Sequence, residues 1–247
     1  MARQDKVTVG ARPGPFGLDL THAAVIVVDM QNDFGSPGGM FERAGIDIAP
    51  IRAAVGPTVR VVDAAREAGI PIVYLKMGFR PDLSDLGPDH AANRQRHQFM
   101  GVGEPVVAPD GTPSRVLVRD TWNTDIVDEL APAPGDHIIY KHRFSGFFQT
   151  DLEGLLRSQA VRDIIFTGCT TSICVESTLR DAMFRDFRCL LLEDCTGEPI
   201  GAAADRTNHE ASLLSIETLF GWVATSTALL HELTAAAPAD LRHSATV

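Results

Sequence analysis

The chain has 247 residues, of which 45% are apolar and 22% charged, with a formal net charge of −10. That balance excludes a disordered or fibrous chain, and the length suits one α/β domain with a core large enough to need no staples. No stripe of Lys or Arg is present to neutralise phosphates, so neither nucleic acid nor a membrane surface is an expected partner.

The first residues, MARQDKVTVGARPGPFGLDL, lack the apolar core of a signal peptide. No apolar run approaches the roughly 20 residues of a membrane span. Four cysteines, Cys169, Cys174, Cys189 and Cys195, crowd into one stretch beside apolar runs rather than stapling loops. Reduced thiols in a soluble cytoplasmic protein are the expectation.

In chain order, short apolar runs at Ala23–Val28 and at 70–75, 137–140, 163–167, 189–192 and 221–225 read as strands. Helical patterns fall at 57–68, 125–130, 151–159, 172–184, 202–219 and 226–235. The run AAVIVV is apolar on both faces, as in a parallel strand covered on each side. The alternation predicts a doubly wound, mostly parallel six-stranded sheet with helices on both faces. One domain over 19–236 is expected, with 1–18 and 237–247 as loosely held termini.

From Met77 to about Val118 the rhythm breaks into Gly, Pro, Asp, Arg and His without a clean period. A long irregular segment after a strand of such a sheet lies where ligands bind, and reads as a substrate lid. The bland alternative is a solvated insertion.

Three side chains carry the chemistry. Asp29 closes the first strand, at the edge where ligands bind, and could exchange a proton with a nucleophile. Its plainer role is a turn cap, for which Asp33 is the better candidate. Lys141 ends the strand of HIIYK, where a cation lowers the pKa of nearby acids, although His142 and Arg143 compete for that part. Cys174 follows a strand, a glycine and a turn, at the start of a predicted helix. Helix N–H groups there favour a thiolate and could hold an oxyanion. A buried, inert thiol is the alternative, and fits Cys169, Cys189 and Cys195 better.

The segments VVDMQNDF, YKHRFSGFFQTDLEGLLR, IIFTGCTTSICVESTLRDAMFRDF, LLLEDCTGEP and SIETLFGWV resemble the isochorismatase-like cysteine hydrolases over about 23–223. The resemblance implies a catalytic triad of Asp29, Lys141 and Cys174. It further implies a cis peptide at Cys169–Thr170 and an oxyanion hole from the N–H groups of Thr170 and Cys174.

Within that family the segments look most similar to ureidoacrylate amidohydrolases of pyrimidine catabolism. Biuret hydrolases and N-carbamoyl amidases are the alternatives. The implied reaction is hydrolysis of a carbamoyl or ureido C–N bond through a thioester. Two further readings are an isochorismatase-type vinyl-ether hydrolase, which generally lacks the nucleophilic Cys, and a non-catalytic scaffold.

Met77-Gly78-Phe79 departs from the Asn-Gly-Trp that ureidoacrylate enzymes tend to carry. Losing a polar partner there would cost a substrate amide about 1–3 kcal/mol. Gln31, Phe34, Met77, Phe79, Trp122, Phe144 and Phe148 are the candidate substrate contacts. His90 and His97 have no recognised ligand spacing and the Asp-x-His pattern of nicotinamidases is missing, so no metal or cofactor is expected. A small ureido or amide substrate and a second or fourth copy of the chain, as a homodimer or homotetramer, are the expected partners.

Overall fold

The computed structural model describes residues 4–237. Its centre is a six-stranded sheet of Ala23–Val28 (β1), Ile72–Met77 (β2), His137–Lys141 (β3), Asp163–Cys169 (β4), Arg188–Gly197 (β5) and Trp222–Ala224 (β6). The strand order is β6-β5-β4-β1-β2-β3 and every pairing is parallel. β1 pairs with β2 on one side (Val25 opposite Ile72) and with β4 on the other (Ala23 opposite Asp163).

The chain therefore winds outward from β1 through β2 and β3, then returns to β1's other side for β4. That reversal opens a crevice at the carboxyl ends of β1 and β4.

Side chains of a strand alternate between faces, and β1 feeds two separate cores. Ala23, Val25 and Val27 enter one, while Ala24, Ile26 and Val28 enter the other. Helices Ala49–Glu67 (α1) and Ser226–Ala236 (α5) close the first core through Ile51, Val55, Val61, Val62, Leu229 and Leu233. Helices Leu152–Ser158 (α2) and Glu176–Met183 (α3) close the second through Leu152, Leu156 and Leu179. Asn208–Ser215 (α4) lies along the second core, where Leu213 and the following Ile216 pack. No helix among the described residues is long and apolar enough to cross a membrane.

Several boundaries differ from the sequence reading. The expected helix at 57–68 begins at Ala49, with Pro57 inside it. An internal proline costs about 3 kcal/mol. Ile51, Ala54, Val55, Thr58, Val61, Val62 and Ala65 form an unbroken buried face across it, and that burial outweighs the cost.

The expected helix at 125–130 is instead an extended run ending in the single turn Asp128–Leu130. Its backbone bonds go to the turn after β1: the Asn32 N–H reaches Asp125 O at 2.8 Å, and the Val127 N–H reaches Met30 O at 2.9 Å. The helix expected at 202–219 starts only at Asn208, behind a capping box of Thr207 and Glu210.

Residues 1–18 are not a loose terminus throughout. Lys6–Val9 and Phe16–Asp19 form an antiparallel hairpin, with Val7, Val9, Phe16 and Leu18 buried in the first core. Residues 1–3 and the tail beyond 237 lie outside the described residues. The irregular segment after β2 contains a helix, Ala92–Phe99, and a hairpin of Pro105–Val107 with Pro113–Arg115.

Candidate active site

β1 delivers Asp29 to the crevice. Its backbone turns out of the strand at a left-handed φ of 49°, which Asp accommodates better than most residues. The Asp29 N–H bonds to Leu75 O at 2.9 Å, so the turn stays anchored to β2. β4 approaches β1 closely at Gly168, where a Cβ would stand 2.0 Å from Val28 O; only glycine fits. Past Gly168 the chain runs through the cis Cys169–Thr170 peptide into a wide π-type turn, Thr171–Val175, ahead of α3. Such turns recur at functional sites.

Cys174 lies in that turn rather than at a regular helix start, and is 7% exposed. Two clamps hold it. Buried Glu198 accepts from the N–H of Ser172 at 2.8 Å and from that of Ile200 at 2.9 Å. Thr178 donates to Cys174 O at 2.6 Å and accepts from the Gly146 N–H at 3.0 Å.

Lys141 comes from β3, two strands from β1. Its side chain passes the Met77 sulfur at 3.6 Å and ends 2.7 Å from Asp29 Oδ2, fully buried. Asp29 and Lys141 both interact with the Cys174 thiol. Sulfur, carboxylate and ammonium thus meet at one point, as the sequence reading anticipated, and the competing cations do not. His142 faces Gln149, and Arg143 donates to the carbonyls of Asp85 and His142.

Burial dominates the electrostatics. It pushes the Asp29 carboxyl up, against the pull of Lys141. It pushes the Cys174 thiol up as well, with Lys141 opposing and Asp29 adding. For Lys141, burial is outweighed by the Asp29 and Cys174 charges, and its pKa is raised. The pull of Lys141 toward the thiolate, expected from the sequence, is present and is opposed by burial. Lys141 Nζ and Asp29 Oδ2 stand in ion-pair contact beside a thiol whose ionised form burial disfavours. Burial likewise pushes the remaining cysteines up, Cys189 and Cys195 to about 12.

The cavity in front of Cys174 measures about 150 Å³. Of the expected contacts, Phe34, Met77 and Phe144 border it, as do Asp29 and Thr170. Four others do not. Gln31 is turned inward, where its amide donates to Met77 O at 2.9 Å and Thr124 O at 3.1 Å and accepts from the Met77 N–H at 2.7 Å. That bonding braces the ends of β1 and β2 against each other. Phe79 is buried behind His97, and Phe148 sits outside against Arg143 and His142. Trp122 is held away from the cavity, with its carbonyl accepting from Asn32.

Residues the sequence reading missed complete the walls: Met40, Phe41, Met100, Leu117, Ile173 and Ile200, with Arg96 and His97 as polar members. Arg96, His97 and Met100 come from the irregular segment after β2, whose position had been legible although its register had not. Glu198 could have been suspected as a carboxylate in an apolar strand exit, LLLEDCTGEP. Asp33 plays the structural part anticipated for it. It accepts from the N–H groups of Met40 at 2.9 Å and Leu117 at 2.7 Å, tying the insertion to the turn after β1.

The chain and its fold have known relatives. Ureidoacrylate amidohydrolase RutB of Azorhizobium caulinodans is 36% identical over 215 residues, covering 87% of this chain and 92% of the relative. The protein of that name from Methylobacterium radiotolerans is 38% identical over 221 residues, covering 90% and 83%. A cysteine hydrolase from Pseudomonas syringae pv. phaseolicola superposes with a TM-score of 0.75 at 28% identity, covering 95% of this chain and all of that one. N-carbamoylsarcosine amidase from Thermoplasma acidophilum gives a TM-score of 0.61 at 25% identity, covering 83% and 96%. The Isochorismatase domain matches residues 23–228, and with the parallel sheet and the crevice between β1 and β4, the chain belongs to the isochorismatase family.

Proposed function

We propose that this chain hydrolyses the carbamoyl or ureido C–N bond of a small linear amide of the ureidoacrylate type, through a thioester on Cys174. The observation that carries this reading is the 2.7 Å contact of Lys141 with Asp29 beside a cysteine that borders the cavity. The relatives named ureidoacrylate amidohydrolase support the substrate class.

With the thiolate disfavoured by burial, attack and proton transfer are coupled. Asp29 takes the thiol proton as sulfur bonds to the substrate carbonyl carbon. The N–H groups of Thr170 and Cys174 hold the resulting oxyanion. Asp29 returns the proton to the departing nitrogen; the C–N bond breaks, and an amine or ammonia leaves. A water then gives its proton to Asp29 and attacks the thioester, and the proton passes back to sulfur as the acid product departs. Lys141 keeps Asp29 ionised against the cost of its burial.

Arg96 borders the cavity and makes no ion pair or hydrogen bond through its side chain with another described residue. It supplies a cation for the carboxylate of an acidic substrate. The apolar walls favour an N-carbamoyl amino acid as the second reading, and the likeness to N-carbamoylsarcosine amidase points the same way.

Ammonia release from 3-ureidoacrylate, biuret and N-carbamoyl amino acids, set against pyruvate release from isochorismate, tests the proposal. Trapping the acyl group on Cys174 by mass spectrometry separates an enzyme from a scaffold. Pyruvate without ammonia, or no turnover of any compound, would overturn it.

A further inference from the structure

His97 belongs to the helix Ala92–Phe99 of the insertion and borders the same cavity as Cys174. The residue is 6% exposed, with its ring between Phe79 (centroids 5.0 Å apart) and Phe144 (5.5 Å). Nδ1 lies 2.7 Å from Asn93 O. A carbonyl oxygen can only accept, so Nδ1 carries the hydrogen. Burial, helped by Lys141 and Arg143 and opposed by the Asn93 carbonyl, lowers the affinity of the ring for a second proton. Nε2 is therefore a bare lone pair, and among the described residues the ring makes no hydrogen bond besides the one to Asn93. Phenylalanine would fill the space between two aromatic rings as well, whereas an imidazole at the wall of the cavity also brings a nitrogen acceptor that no described residue occupies.

We propose that His97 Nε2 accepts a hydrogen bond from an N–H of the substrate's amide or ureido group, turning its carbonyl toward Cys174. The site then selects compounds that keep an N–H beside the scissile carbonyl. Esters and vinyl ethers offer no such donor, and a fully N-alkylated amide loses it. The inference rests on the amidohydrolase reading and adds to it the group that recognises the nitrogen side of the bond.

Two measurements on the full chain test it. In steady-state kinetics with 3-ureidoacrylate, His97→Phe keeps the ring stack and removes the acceptor. KM is expected to rise about tenfold, with kcat changed less. His97→Gln, whose amide oxygen can still accept, recovers most of the loss. In imidazole ¹⁵N spectra of the Cys174→Ser protein, the His97 ring is neutral with its proton on Nδ1. Its Nε2 resonance is expected to shift when 3-ureidoacrylate is added, and this arm needs no substitution at His97.

A wild-type KM in His97→Phe, a proton on Nε2, or an Nε2 resonance unmoved at saturation overturns the role of His97 and leaves the amidohydrolase reading standing. Failure of the wild-type protein to hydrolyse any ureido or carbamoyl acid removes both.

Discussion

The floor and the roof of the cavity are built in different ways. The floor is the carboxyl edge of the sheet, where Asp29, Lys141 and Cys174 are 1%, 0% and 7% exposed: Asp29 just past β1, Lys141 the last residue of β3, and Cys174 in the turn after β4. The roof is the insertion after β2, tied down largely through side chains: the Asp33 carboxylate on the Leu117 N–H, Ser114 on Asn123, and Arg143 on the Asp85 carbonyl. Its helix carries the buried His97, the exposed Arg96, and Phe99, which is 86% exposed. The proposed triad thus stands on or just beyond strands of the sheet, while Arg96 and His97 stand on a segment outside it.

The sharpest break between the two regions is Cys174→Ala. Removing the thiol leaves the contact of Lys141 with Asp29 in place, so the variant is expected to fold with a near wild-type melting temperature. Turnover falls by about 10³-fold or more. A variant that still turns over near the wild-type rate removes sulfur from the mechanism.

Lys141→Met also loses activity, but strands a buried carboxylate. A destabilisation of about 3–5 kcal/mol in urea unfolding is expected. Asp29→Asn strands the ammonium in the same way, so neither half of the pair is a silent catalytic knockout. Wild-type stability in both would show that the contact carries no net weight.

A roof substitution acts differently. Asp33→Ala leaves the N–H groups of Met40 and Leu117 without their acceptor, at a cost of about 1–3 kcal/mol. Faster amide exchange near Leu117 and a raised KM are expected, with kcat less affected; an equal fall in kcat would blur the division between floor and roof.

The smallest effect is the acid dependence of stability set by His97. Its pKa is lowered from 6.5 by burial, so the folded state binds fewer protons than the unfolded chain. The contribution is complete above that value and is lost as pH falls below it. His97→Phe flattens this slope, which thermal melts between pH 5 and 7 would register.

Much of this was legible in the chain itself. AAVIVV matches β1 residue for residue, and Asp29 and Cys174 stood out by following strands at the edge where ligands gather, whereas Lys141 was separated from His142 and Arg143 only by the family resemblance. The hairpin of Lys6–Val9 and Phe16–Asp19 was hidden by its connecting GARPGP, whose glycines and prolines resemble a loose terminus. Pro57 resembled a helix start because proline suits a first turn, yet Ile51, Ala54 and Val55 already continued the apolar face toward Ala49. Gln31 was expected to touch substrate; proximity to Asp29 was correct, but a side chain one turn away can point into the protein as easily as into the cleft.

What the chain determined by itself was local: which runs are apolar on both faces, where strands give way to turns, and which reactive side chains stand at those exits. These follow from hydrophobic periodicity and backbone preference, which are readable over a few residues. The tertiary structure decided the rest: the burial that pushes the Cys174 thiol up, the aromatic stack around His97, the inward turn of Gln31 and the helical course through Pro57. Each depends on what surrounds a group after distant segments have packed around it, and desolvation by such neighbours leaves no mark in the neighbouring sequence.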